Sequence, residues 1–217
     1  MSDSNSASYG KPRLPIKRKY ILAALDLLIE GGIILRTKNI VTSNLHENKI
    51  TFRLCYEMDH IQRARKSDII WWDPLVNTQY DPLNPLSRGE IDIKFRWAQY
   101  PSDNDRYLAV EAKRLFGKGS SRADEYVEKG VMDFVNAKYG RGHNYGIMLG
   151  YILVGPLTKA VAAVDSAMNT RKLQTAEHSA LAPNSSLCLH PYTHHSIHLQ
   201  QGTATLITLV HVFLDFS

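Results

Sequence analysis

Apolar positions recur first with a helical period and then with a strand period. From Ile16 to Glu30, Tyr20, Ile21, Ala24, Leu25 and Leu28 share one helical face, and Gly31-Gly32 is expected to end that helix as a C-cap. A second helix is expected after Thr42-Ser43, running to about Arg65. Ser43 or Asn44 would cap it, Glu47 would lie in its first turns, and Leu45, Ile50, Leu54, Met58 and Ile61 would face inward. Trp71 to Arg88 carries Pro74, Pro82 and Pro85 and reads as a long irregular loop.

The period then changes. Glu90 to Trp97 alternates, with Ile91, Ile93 and Phe95 on one side and Glu90, Asp92 and Lys94 on the other. Arg106 to Leu115 reads as a second strand. The Asp-rich turn Pro101 to Asp105 makes the two strands an antiparallel hairpin. A Gly/Ser loop from Phe116 to Ser121 leads to a helix over Arg122 to Tyr139, capped by Ser120 or Ser121, with Val127, Val131, Phe134 and Val135 inside. Tyr145 to Val154 is a continuous apolar run, as in a strand buried on both faces. Gly155-Pro156 opens another helix with Pro156 at its first position, and Leu187 to Leu189 and Ala204 to Phe216 read as further strands. The order predicts an α/β fold with a mixed sheet.

Composition narrows the classes. The 217 residues suit one domain over 16–217 after a polar lead-in over 1–15. No apolar run is long enough for a membrane span, and the Ser-rich start fits neither a secretory signal nor a lipidation site. The two cysteines, Cys55 and Cys188, form no CxxC pair, which excludes a disulfide scaffold or a Cys-built zinc site and suits a cytoplasmic protein. Net charge is +5, of which +4 falls in residues 1–40 (seven basic, three acidic). Lys17, Arg18 and Lys19 are candidate phosphate contacts at the start of the first helix, or simply a solvated basic end.

The hairpin carries the candidate chemistry. Glu111 and Lys113 are two apart and leave the same strand face, with Asp92 on the neighbouring strand. Two carboxylates brought together out of water repel each other and lose hydration. A divalent cation resolves this, and carboxylates with a backbone carbonyl suit Mg²⁺ or Mn²⁺. Lys113 could orient or help deprotonate water at such a site. Solvated charges on the open face of an antiparallel sheet are the plainer alternative.

GEIDIKF followed by YLAVEAKRL, a helix and a strand resembles the PD-(D/E)XK, or restriction-endonuclease-like, nuclease superfamily over roughly residues 44–154, about half of the chain. The resemblance implies a central mixed β-sheet flanked by helices and a metal-dependent endonuclease, acting on DNA, in restriction or anti-phage defence. It implies Asp92, Glu111 and the Ala112 carbonyl as metal ligands and Lys113 as the catalytic lysine. Glu47 matches the acidic residue that many members add from the first core helix, with Glu57 and Glu30 as fallbacks. Ile91 stands where the name motif has Pro. The superfamily also contains RNA-cutting and inactive members, so a silent nucleic-acid-binding or scaffold subunit of a larger complex is the competing reading. With no Walker motif or DNA-reading module, a homodimer or a partner subunit is expected.

Lys118, Lys129 and Lys138 are further candidate phosphate contacts, weighed against solvated faces. Trp71-Trp72 reads as a hydrophobic lid, with base stacking as the alternative. His190, His194, His195 and His198 are read as structural rather than as a zinc site, because Pro191 and Thr193 break any helix that would align them. Cys55 is read as core.

Overall fold

The computed structural model describes residues 15–67, 70–77, 90–97, 106–117, 121–183, 187 and 190–217. The lead-in to residue 14, the turn at 101–105, Lys118, Ser120 and Cys188 lie outside them. Helices α1 (Arg18–Lys38) and α2 (Glu47–Arg65) precede strands β1 (Ile70–Asn77), β2 (Glu90–Trp97) and β3 (Leu108–Phe116). Helix α3 (Ser121–Tyr126), a π-helical turn (Val127–Val131) and α4 (Met132–Val135) form one interrupted helical segment. After it come β4 (Tyr145–Val154), α5 (Leu157–Thr170), β5 (Glu177–Pro183), β6 (Thr193–Gln200) and β7 (Thr205–Asp215).

All seven strands join one sheet in the order β1-β2-β3-β4-β7-β6-β5. The pairs β3–β4 and β4–β7 are parallel and the rest antiparallel, so the expected α/β fold with a mixed, helix-flanked sheet holds. Helices α1 and α2 bury one face, on Ile93, Phe95, Val110, Leu149 and Val212. The segment from α3 to α4 and helix α5 bury the other, on Ala109, Leu115, Met148, Leu209 and Phe213. β4 is central and buried along nearly its whole length, as its apolar run predicts.

Gly31-Gly32 does not end α1, which continues to Lys38 and closes on Asn39 in the left-handed conformation. The glycines are places of close approach instead. A Cβ on Gly31 would lie 2.9 Å from Leu54 Cδ1, and one on Gly32 would lie 2.6 Å from Leu214 Cδ2. Helix α2 takes His46 at its N-cap rather than Ser43 or Asn44. The helix expected over 122–139 stops at Val135 and contains the π turn. Pro156 caps α5 from outside rather than occupying its first position.

The segment expected to be a loop begins as strand β1, despite Pro74. β1 is an edge strand with one neighbour, where the missing N–H of proline is tolerated. Residues 78–89 lie outside the described residues. Leu187 is in no strand and 188–189 are not described, whereas β5 and β6, which no sequence signal marked, complete the second half of the sheet. Their alternation is obscured by the polar and histidine-rich composition of 177–200.

A candidate metal-and-lysine site at the fork of two strands

β2 and β3 pair through only three positions, Ile93↔Val110, Lys94↔Ala109 and Phe95↔Leu108. Asp92 and Glu111 are the first residues beyond the last rung. There the Asp92 carboxylate accepts the Ala112 N–H at 2.7 Å, so a side chain takes a ladder donor that β2 leaves at the fork. The expected alternation breaks at the same point. Ile93 and Phe95 pack toward α1 and α2, but Ile91 packs on the opposite face. Leu75, between the rungs Pro74↔Ile93 and Val76↔Ile91, has φ 49°, a backbone conformation that is uncommon for leucine and is enriched at functional sites.

Lys113 closes the cluster. Its Nζ donates to Glu111 Oε1 at 2.6 Å and to the Ala112 carbonyl at 2.7 Å, and lies 3.4 Å from Glu47 Oε1. Glu47 stands at the first turn of α2, and its Oε2 accepts the Arg114 N–H at 2.9 Å. The fallbacks are elsewhere: Glu57 pairs with Lys38 at 2.6 Å, and Glu30 pairs with Arg65. Two contributors carried no sequence signal. The π turn lays Gly130 against Met148 beside the Lys113 stem, where a Cβ would meet Met148 Cε at 2.4 Å. Tyr139, whose hydroxyl donates to the Glu90 carbonyl, has its pKa raised by burial and then by the neighbouring Glu111.

Asp92, Glu111 and Lys113 are 7%, 5% and 8% exposed, so their charges are felt strongly. Burial raises Asp92 to about 6, against the lowering effects of Lys113 and the Ala112 N–H. Burial and then Asp92 raise Glu111 to about 8. Desolvation opposes the Lys113 ammonium, but Glu111, Glu47 and Asp92 outweigh it and hold its pKa above the ordinary range. In this arrangement Lys113 is a fixed cation, suited to orienting an anion or a water rather than removing a proton, which narrows the role expected of it.

Among the described residues no group of three or more His, Cys, Asp and Glu side chains is placed to hold a metal ion. The carboxylate–carbonyl set nonetheless fits a hard divalent cation. Among the described residues Glu111 Oε2 is buried without a hydrogen-bond partner, and Glu111 Oε1 and the Ala112 carbonyl already share a positive group in the Lys113 ammonium.

The other candidate contacts do not converge on this cluster. Lys17, Arg18 and Lys19 are exposed at the start of α1, where the Ile16 N–H donates to Asn144 Oδ1 at 2.8 Å and Tyr20 stacks on Trp97 at 4.7 Å. That is the Trp97 end of β2, about 17 Å along the strand from Asp92. Lys129 is exposed and pairs with Glu125 at 3.5 Å. Lys138 is nearer, bonded to Asp133 at 2.5 Å, and Asp133 is one of the charges that raise Glu111. Cys55 is buried in the core, and burial followed by Asp92 pushes its thiol to about 12.

The histidines serve the core. His198 Nδ1 meets the Thr175 carbonyl at 2.9 Å and must donate to it. His198 Nε2 therefore accepts from Ser196 Oγ at 2.7 Å, Ser196 Oγ accepts from His211 Nε2 at 2.8 Å, and His211 Nδ1 accepts from Tyr126 at 2.9 Å. Each proton is used once, and both rings are neutral. His190 packs on Tyr192 at a tilt of 50°, and His194 meets Phe213 edge-on.

Comparison with family models, with curated proteins and with solved structures gives no match for this chain. No helix among the described residues is long and apolar enough to cross a membrane.

Proposed function

We propose that the chain is a metal-dependent nuclease of the PD-(D/E)XK kind that hydrolyses phosphodiester bonds, those of DNA first among them. The observation that carries this reading is the meeting of Asp92, Glu111, the Ala112 carbonyl, Lys113 and Glu47 at one strand fork, with Glu111 Oε2 unpaired among the described residues. Asp92, Glu111 and the Ala112 carbonyl would hold Mg²⁺ or Mn²⁺, which when bound supplies Lewis-acid stabilisation of the charge that builds on the phosphate. Lys113 presents a positive charge to the reacting phosphate or to the attacking water. Glu47 holds Lys113 and the Arg114 backbone in place. Asp92 ties the Ala112 peptide, and so its carbonyl, to β2. A role in restriction or anti-phage defence, and work as a homodimer or with a partner subunit, belong to the same proposal.

The test is incubation of the purified protein with supercoiled plasmid, linear DNA and RNA, with and without Mg²⁺ or Mn²⁺, beside Lys113→Ala and Glu111→Ala. Cleavage should require the cation and vanish in both variants while their folds persist. Full activity in a well-folded Glu111→Ala protein would sink the reading. One observation favours a second reading, a silent nucleic-acid-binding subunit: the Lys113 ammonium already bridges Glu111 and the Ala112 carbonyl. Salt-sensitive binding without cleavage under any cation would establish that alternative.

A further inference from the structure

Beyond the fork, β1 and β2 carry a second group of side chains. Trp72 faces Phe95 in the register and packs on the α1–α2 side, ring centroids 6.0 Å apart. Its neighbour Trp71 therefore belongs to the opposite face, beside its partner Arg96, and Asp73 lies beside its partner Lys94. The Arg96 guanidinium lies 5.8 Å from the Trp71 ring centroid and pairs with Asp73. Its Nε is buried with no hydrogen-bond partner among the described residues. Lys94 Nζ lies 4.7 Å from the Tyr107 ring, and the Tyr107 hydroxyl accepts the Gly140 N–H, which ties this face to the chain after α4. Trp71, Lys94 and Arg96 are all partly open to solvent.

Position along the strand gives these groups a direction. Lys94 and Arg96 follow Asp92 at two-residue steps, each about 6.6 Å along an extended strand. Beyond Arg96 the strand ends at Trp97, where Lys17, Arg18 and Lys19 open α1. On this face cations therefore run from the carboxylate fork along β2 to Arg96, with one tryptophan ring beside them, while α1 packs against Trp97 on the other face. A polyanion with exposed planar bases matches that order of groups: phosphates meet Lys94 and Arg96, and a base stacks at Trp71. Paired bases already stack on their neighbours and would leave Trp71 unused, so an unpaired strand fits better than a duplex.

We propose that the Trp71–Lys94–Arg96 face of β1 and β2 binds a single-stranded stretch of nucleic acid and leads it to the Asp92–Glu111–Lys113 fork. This rests on the nuclease reading and adds its substrate class and path.

The test uses the full chain in EDTA, so that binding is read without cleavage. Fluorescence anisotropy would follow a labelled single-stranded DNA, its duplex and the matching RNA strand between 50 and 200 mM salt, about the range over which phosphate contacts are lost. The wild type should prefer single strands, and the DNA and RNA arms decide which kind. Lys94→Gln and Arg96→Gln should each reduce the log–log salt slope by about 0.7 on single strands. Trp71→Leu should weaken single-strand binding roughly tenfold and leave duplex binding unchanged. Thermal melting confirms that each variant is folded; if Arg96→Gln is not, Lys94→Gln and Trp71→Leu decide. Folded variants with wild-type affinity and slope, or an equal loss on duplex, overturn the proposal. If the wild type cuts DNA but these variants are indifferent, only the path is wrong. If it binds no nucleic acid at all, both the path and the nuclease reading fall.

Discussion

Glu111 is buried, shares one oxygen with Lys113 and, among the described residues, leaves the other unpaired. Its pKa of about 8 lies above the ordinary 4.5. Between those values the folded protein holds a proton that the unfolded chain releases. The resulting stabilisation is full below pH 4.5 and is lost as the pH rises through 8. Glu111→Gln keeps the shape without the ionisation. In EDTA, denaturant unfolding should therefore show the variant gaining on the wild type as the pH goes from 5 to 8.5, and identical pH profiles would contradict this account. The pairing of Glu111 with Lys113 was legible from their spacing alone, since residues two apart on a strand share a face. The placement of Asp92 was only partly legible. Its strand was, but the switch of face between Ile91 and Ile93 was not, and the left-handed backbone at Leu75 on the adjacent β1 belongs to a leucine that nothing in the sequence distinguishes.

At the scale of elements, the helices and central strands could be read because their apolar periods are strong. Sequence pattern and structure part where one residue type serves two purposes. Gly31-Gly32 looks like a helix terminus, yet both glycines lie inside α1 because α2 and β7 come too close for a Cβ. Gly32→Ala would gain about 1 kcal/mol of helix propensity. It would also drive a methyl into the Leu214 side chain, whose Cδ1, Cδ2 and Cγ all lie within 3.1 Å of that Cβ. Overpacking of this kind costs about 1–3 kcal/mol. The net outcome expected in denaturant titration is destabilisation, while a more stable Gly32→Ala protein would mean that the glycine has no packing role. Pro74 is the converse case: a residue that breaks central strands is accommodated because β1 happens to be an edge.

Across the whole molecule, the chain from Tyr126 through His211, Ser196 and His198 to Thr175 links α3, β7, β6 and the turn after α5. Burial holds His198 at about 4 and His211 well below its ordinary value. The folded state thus refuses protons that the unfolded chain accepts below 6.5. This contribution to stability is complete above pH 6.5 and declines as the pH falls toward 4. Ser196→Ala orphans His198 Nε2 and removes the acceptor of His211 Nε2, at roughly 1–3 kcal/mol per orphaned nitrogen. Its unfolding midpoint should drop at pH 7.5, and an unchanged midpoint would show that the chain contributes nothing.

Hydrophobic period and strand alternation are local properties, and they suffice for the α/β class, the central buried strand and the shared face of Glu111 and Lys113. Whatever depends on distant segments meeting is set by packing across the fold. The early end of the β2–β3 ladder sets Asp92 on the Ala112 N–H. The start of α2 brings Glu47 to residues 66 and 67 positions further along the chain. The β1–β2 register sets Trp71 beside Arg96 and Trp72 beside Phe95, and the β6–β7 register turns scattered histidines into one neutral hydrogen-bonded chain. None of these has a local signature, since each is fixed by packing and hydrogen-bond partners far away in the sequence.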